Sequence, residues 1–416
     1  MLSQLLFHAL HPFWRLLDRL IPKHPFYWAF STHHLHTDRF IENQRALFEH
    51  LKQDPAIRKF IFYRGPTPDL NIEDARNFEI VRHGSLKGLF FLLRCKVVFL
   101  THSISMDYSF RWENGKFSIF KLNLKARVVV NLWHGIPMKR LLYAANDAAF
   151  RHTDRVKYRA QERKDYAGLI ASSDIDSYAM AAMFYPLNYR QVWITGLPRN
   201  DFLRLEEDRL PNYIRESVRK IRSIRGKKQL IVYAPTYRQT KVSGSASYYQ
   251  FSKDEIKNLR NLLLRNNAIL GYRPHYFKNS NEYFNLDDYI DGEQIIDMSQ
   301  KEIPEFSAVA RELDLLITDY SSVYIEALYL HKPIICFGYD IDHYRSHEDG
   351  LLYDMDVAFP GPVTTTFDRL LATIESELSK STEMIAREQA IARRMFFKYE
   401  DTSNSARVTQ EILKRL

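Results

Sequence analysis

Short apolar runs rich in β-branched residues recur along this chain, with amphipathic helical stretches between them. That rhythm folds into a parallel sheet covered by helices on both faces. In the first half the runs are FYWAFS (26–31), KFIFYR (59–64), FEIVR (78–82), KVVFLTH (96–102), RVVVNLW (127–133), GLIASS (168–173) and QVWITG (191–196). DRFIENQRALFEHLK (38–52) and SLKGLFFLLR carry helical spacing between them. A highly charged stretch between about 205 and 227 interrupts the pattern, which then resumes with QLIVYAPT (229–236), NAILGYRPH (267–275), QIIDMS (294–299), LDLLITD (313–319) and KPIICFG (332–338). The pattern predicts two doubly wound α/β domains facing each other across a cleft. They span 25–208 and 209–416, behind an amphipathic segment at 1–24.

A chain of 416 residues is long enough for two such cores. Lysine and arginine total 59 against 50 acidic residues, an excess of 59 − 50 = 9. That balance favours partners carrying negative charge: nucleotides, phosphorylated polymers or an anionic membrane face. No dense basic block or RNA-binding signature is present, so nucleic acid is not an expected partner. The two cysteines, Cys95 and Cys336, lie in apolar runs and read as buried thiols of a cytosolic protein.

The opening MLSQLLFHALHPFWRLLDRLIPK puts Leu2, Leu5, Leu6, Leu10, Phe13, Leu16, Leu17 and Leu20 on one helical face, with Gln4, His8, His11, Arg15, Asp18 and Arg19 opposite. It is too polar to span a bilayer and lacks the plan of a signal peptide. Two readings stay open. The helix packs on its own domain, or it lies in the membrane interface with Trp14 at headgroup depth, detached from the first strand by Pro22 and Pro25.

Polar punctuation falls where open α/β sheets bind ligands, at the carboxyl ends of strands. His134 follows VVV, with Gly135 leaving room for a substrate and Lys139 and Arg140 raising the local positive potential. Cations nearby keep an imidazole neutral, as a general base requires. In GYRPHYF, Pro274 holds Arg273 extended, and Arg273 with His275 suits a phosphate. In LLITDYSSVYIEALYL, Ser321 and Ser322 open a helix whose free N–H groups suit an anion, and Glu326, one turn on, suits ribose hydroxyls. Alternatively, the serines cap the helix and the histidines are structural. His33, His34, His36 and Asp38, and the acidic and histidine-rich stretch from Asp340 to Asp349, lack the spacing of zinc or calcium sites and read as solvated loops. No metal and no cofactor are expected.

WHGIPMK, GLPRND, APTYR, RPH and DYSSVYIEALYLHKPII, in this order, resemble the CDP-glycerol glycerophosphotransferase family of teichoic-acid and capsule enzymes. PFYWAFSTHHLHTDRFIENQRALFEHL resembles the family's N-terminal opening, so the resemblance spans nearly the whole chain. Ile136 stands where the family usually has threonine, and Tyr276 where it often has proline. The resemblance implies a GT-B fold and a peripheral protein on the cytoplasmic face of the membrane. It implies transfer of polyol phosphate, glycerol phosphate foremost, from a CDP-activated donor to a lipid-linked or polymeric acceptor, with release of CMP. His134 is then the base and His275 a phosphate ligand or acid. Ser321, Ser322 and Glu326 bind the donor nucleotide, with Arg238, Arg273 and Asp319 beside them. Lys139, Arg140 and Arg199 receive the acceptor or its phosphate. The rival expectations are a GT-B glycosyltransferase using a nucleotide sugar and a non-catalytic membrane-bound scaffold.

Overall fold

The computed structural model describes residues 2–34, 37–108, 116–144, 154–236, 248–275, 285–342, 344 and 350–416. Among the described residues, thirteen strands form two parallel sheets. The first holds β1 (His24–Ser31), β2 (Arg58–Tyr63), β3 (Phe78–Arg82), β4 (Cys95–Leu100), β5 (Val128–Asn131), β6 (Gly168–Ala171) and β7 (Val192–Ile194), in the order β3-β2-β1-β4-β5-β6-β7. The second holds β8 (Gln229–Ala234), β9 (Ala268–Tyr272), β10 (Ile295–Asp297), β11 (Leu315–Thr318), β12 (Ile334–Phe337) and β13 (Val363–Thr364), in the order β10-β9-β8-β11-β12-β13. Strands β4, β5, β8 and β11 are buried almost throughout, which is why their sequences are near-continuous apolar runs and not alternating ones. Each such side chain contributes about 1.5–3 kcal/mol through burial.

Both strand orders reverse direction at one place, between β1 and β4 in the first sheet and between β8 and β11 in the second. Crossover helices leave for opposite faces there, so the carboxyl ends of those strands open a crevice that ligands use.

The compact units do not follow the sequence division at 208. One unit comprises Met1–Gly135, Leu141–Phe202 and Lys398–Leu416; the other comprises Ile136–Arg140 and Leu203–Phe397. The C-terminal helix Asn404–Leu413 therefore belongs to the first unit, where the Asp201 carboxylate accepts the N–H groups of Asn404 and Ser405, both at 2.9 Å. That carboxylate satisfies two of the helix's unpaired amino-terminal donors. Arg407 adds a bond from Nε to the Thr195 carbonyl at 2.8 Å. Gly196 turns beneath this helix at φ +74°, and a Cβ there would lie 1.9 Å from Asn404 Oδ1, so only glycine fits.

Helix α1 (Leu2–Leu20) is part of the first unit, not a detached segment. It docks by a mixed edge. Trp14 is buried and its indole N–H donates to the Lys121 carbonyl at 2.9 Å, so it is not free to sit among lipid headgroups. The buried Asp18 carboxylate pairs with both terminal nitrogens of Arg127, at 3.0 and 2.6 Å, and accepts the Asn123 N–H. Burial alone would raise the Asp18 pKa, but Arg127, Asn123 and Lys23 together hold it below the usual carboxylate range. The apolar stripe faces away, leaving Leu2, Leu5, Phe13, Leu16 and Leu20 more than half exposed.

Truncation of residues 1–21 removes Asp18 and leaves the Arg127 charge buried without it. Asp18→Ala should therefore destabilise the first unit by about 3–5 kcal/mol in denaturant unfolding. Because the folded Asp18 pKa is depressed, the contribution is present above the unfolded pKa and is lost as pH falls through the folded one. A change below about 0.5 kcal/mol would show that the pair does not anchor α1.

Candidate active site

In the first unit the site is built around the turn after β5. Asn131 ends the strand with its side chain buried: Oδ1 accepts the Trp133 N–H at 2.8 Å and Nδ2 donates to the His102 carbonyl at 3.1 Å. Trp133 sits at φ +48°, a conformation costly for a bulky residue. The turn is held from the other side by Asn43, a buried residue of α2 (Glu42–Leu51), whose Nδ2 donates to the carbonyls of Leu132 and Trp133 at 2.9 and 3.1 Å. Asn43 Oδ1 accepts the Arg199 N–H at 3.1 Å, tying the GLPRND turn to the same point. The neighbouring Glu42 is also left-handed, at φ +61°, and its carboxylate lies 4.0 Å from the Arg199 guanidinium. Strain of this kind persists only where surrounding bonds over-determine it.

These bonds present His134 against Trp133, ring centroids 4.0 Å apart, and stack it on His102 at 5.1 Å. Burial first, then His102, Arg199 and His33, push the His134 imidazole well below the ordinary histidine range. It is therefore neutral near pH 7, with a lone pair to accept a proton. His33 and His34 come together with His102, and one ring nitrogen of each lies within 4.8 Å of the others. His36 lies outside the described residues.

In the second unit the site forms where β8 and β11 end. The buried Asp319 Oδ1 accepts the Thr236 N–H at 2.9 Å, the Thr236 hydroxyl, and the Tyr320 N–H at 2.7 Å. This carboxylate fixes the two strand ends at the sheet's reversal point. Tyr320 stacks on Tyr344 at 3.8 Å and donates its hydroxyl to Asp340 at 3.0 Å. The helix Val323–Tyr329 follows, and the Ser322 side chain makes no capping bond, whereas the Val323 N–H reaches Ser321 Oγ at 3.4 Å. Glu326 is buried on that helix.

His275 follows β9. Burial and Lys139 lower its pKa, Asp319 opposes them and Arg273 adds to the fall, leaving it at about 4. The Arg273 guanidinium donates to the carbonyls of Met298 and Ile303, at 2.7 and 2.8 Å, so it braces the loop after β10 as well as charging the site.

The WHGIPMKR motif is divided between the units: His134 and Gly135 belong to the first, Ile136–Arg140 to the second. There Lys139 pairs with Leu351 in an antiparallel bridge and its ammonium sits 5.3 Å from the Tyr344 ring centroid. Arg140 Nε donates to the Leu351 carbonyl at 3.1 Å. Lys139 and Arg140 thus join His275 and Asp319 in the second unit, and Arg199 is the cation beside His134. Arg238 lies outside the described residues, as do His343, His347, Glu348 and Asp349. Sequence reasoning missed Asn43 and Gln44. Both polar residues are buried at the start of an otherwise ordinary amphipathic helix, a signal visible only as polar residues on its apolar face.

A family model for CDP-glycerol:poly(glycerophosphate) glycerophosphotransferases matches residues 29–414. The chain is 26% identical over 340 residues to a teichoic acid poly(glycerol phosphate) polymerase of Bacillus spizizenii, covering 81% of this chain and 80% of that one. It is 24% identical over 422 residues to a teichoic acid glycerol-phosphate transferase of Staphylococcus aureus, covering 99% of each. A solved structure of the wall teichoic acid polymerase TagF matches it with a TM-score of 0.76 at 21% identity, covering 98% of this chain and 93% of that one, and the fold is GT-B-like.

Asn43→Ala should leave two carbonyls and the Arg199 N–H without their buried partner. The expected loss is about 2–4 kcal/mol at 1–3 kcal/mol per orphaned group after partial rehydration. Thermal unfolding with and without the substitution measures it, and an unchanged midpoint would remove Asn43 from its clamping role.

Proposed function

The chain belongs to the CDP-glycerol:poly(glycerophosphate) glycerophosphotransferase family, and we propose that it passes glycerol phosphate from CDP-glycerol to a hydroxyl of a membrane-linked polyol-phosphate acceptor. The observation that carries the mechanism is the neutral His134 held on a strained, doubly clamped turn. The acceptor oxygen attacks the β-phosphorus of the donor, its proton passes to His134, and the bond from that phosphorus to the bridging oxygen breaks as CMP leaves. Such transfers depend on positioning and on charge stabilisation more than on covalent help from the protein.

The second unit takes the donor. Burial, Lys139 and Arg273 lower the His275 pKa and Asp319 opposes them, so the surroundings of His275 carry positive charge. A donor diphosphate bound there brings negative charge that Lys139, Arg273 and the His275 ring stabilise. Ser321 and Ser322 offer hydroxyls, and Glu326 and Arg238 complete the nucleotide contacts. Arg199 draws the acceptor phosphate toward His134, and Arg140 adds positive potential on the donor side.

Membrane attachment is assigned to α1. Among the described residues no helix is long and apolar enough to cross a membrane. What supports a peripheral contact is a row of outward leucines and Phe13 on a helix whose opposite edge is already bonded to the protein, flanked by Arg15 and Arg19.

With CDP-glycerol and a polyol-phosphate acceptor, the purified protein should release CMP in step with phosphorus incorporation, and nucleotide sugars should yield no UDP. Sugar incorporation with UDP release would make it a glycosyltransferase, and no turnover of any CDP-polyol would leave a scaffold. His134→Ala and His275→Ala should each stay folded and lose at least about 10²-fold in turnover.

Changing Leu5, Phe13 and Leu16 together to glutamine should leave the unfolding midpoint unchanged and abolish sedimentation with anionic vesicles. Undiminished sedimentation would assign the membrane contact elsewhere.

A further inference from the structure

The reversal point of the first sheet lies between β1 and β4, and the residues that follow these strands are histidines. His33 and His34 follow β1, and His102 follows β4. Two polar devices prepare the backbone beneath them. Gln44 bridges both strand ends: its Oε1 accepts the Ser31 N–H at 2.7 Å, and its Nε2 donates to the hydroxyls of Ser31 and Thr101 at 3.0 and 2.9 Å. Asp107 holds the β4 turn, one carboxylate oxygen accepting the N–H groups of Thr101 and His102, each at 2.9 Å.

The three rings gather on this platform. The His34 and His102 centroids are 3.9 Å apart, those of His33 and His34 4.9 Å, and those of His33 and His102 5.8 Å. One nitrogen of each lies within 4.8 Å of the other two. Tetrahedral ligands at 2.0–2.1 Å from a zinc ion lie about 3.3 Å from one another, so small ring rotations close the set. The other oxygen of Asp107, Oδ1, stands 3.8 Å from His102 Nδ1. A carboxylate in that position orients a ligating imidazole by taking its second N–H, which leaves Nε2 for the metal.

From this constellation we infer that His33, His34 and His102 bind one divalent ion of the zinc class, with Asp107 as the orienting carboxylate. Three imidazoles without thiolate or a ligating carboxylate favour Zn²⁺ and its neighbours among the late transition metals over Mg²⁺ or Ca²⁺. Three protein ligands leave the fourth position to water or to a substrate oxygen. His102 also stacks on His134, so that position opens beside the proposed base. The site lies outside the expectation of a metal-free protein. Ion binding is measured with neither donor nor acceptor present, so it stands or falls apart from the transferase reading.

The test uses the full chain, stripped with a chelator and titrated with Co²⁺, then with Zn²⁺ in competition. One equivalent should bind with the visible absorption of low-coordinate cobalt, and Zn²⁺ should displace it and raise the unfolding midpoint. His34→Ala and His102→Ala should each weaken binding at least about 10²-fold, and Asp107→Asn about 10-fold. His8→Ala, on the exposed face of α1, should bind as the wild type does. X-ray absorption on the wild-type zinc complex decides the matter even where a variant does not fold: at least three imidazole nitrogens at 2.0–2.1 Å support the site. Fewer than three, no stoichiometric binding, or undiminished binding in folded His34→Ala and His102→Ala would overturn it.

Discussion

The buried amide of Asn43 joins the two turns on which the first unit's chemistry depends. One side of it donates to the carbonyls of Leu132 and Trp133, and the other accepts the Arg199 N–H. These bonds and the one from the Trp133 N–H to Asn131 Oδ1 clamp the turn from two sides, and without Asn43 it loses one of the two restraints that keep Trp133 at a positive φ and aim His134. The same helix supplies Gln44, which fastens the ends of β1 and β4. Two adjacent amides at the start of α2 thus brace the strand ends and the turn from which the first unit's site histidines, His33, His34, His102 and His134, project. Their burial is tolerable because each is bonded on both sides.

Asp319 plays the corresponding part in the second unit. A carboxylate that takes three donors from two strand ends fixes the reversal point of that sheet, and it opposes Lys139 and Arg273 around His275. The two sheets share a strand order, and buried polar side chains fix the reversal point in each: Gln44 and Asp107 in the first, Asp319 in the second.

The strands were legible because a doubly covered parallel sheet demands unbroken β-branched runs, and VVVN and LLIT admit few other structures. His134, His275 and the DYSS turn were legible because polar residues ending such runs have few structural reasons to be there. The partition of WHGIPMKR was not legible. Nothing in a continuous stretch marks the peptide bond at which one unit's packing gives way to the other's. The docking of α1 was likewise hidden, because helical periodicity shows that an apolar stripe exists but not that Asp18, on the polar side, finds Arg127 more than one hundred residues away. His33 and His34 were grouped with Asp38 by sequence, whereas strand adjacency across the reversal point brings them His102.

The role proposed for His134, that of a neutral base, is tested by the pH dependence of kcat/KM for the acceptor, because that quantity reports the free enzyme's essential groups. Burial and the neighbouring cation and imidazoles lower the His134 pKa, so the base form persists as pH falls and activity is lost only on passing through the depressed value. The expected acid limb lies well below pH 6.5, the ordinary histidine value, and is missing from the residual activity of His134→Ala. An acid limb at or above pH 6.5, or one that persists unchanged in His134→Ala, would contradict it.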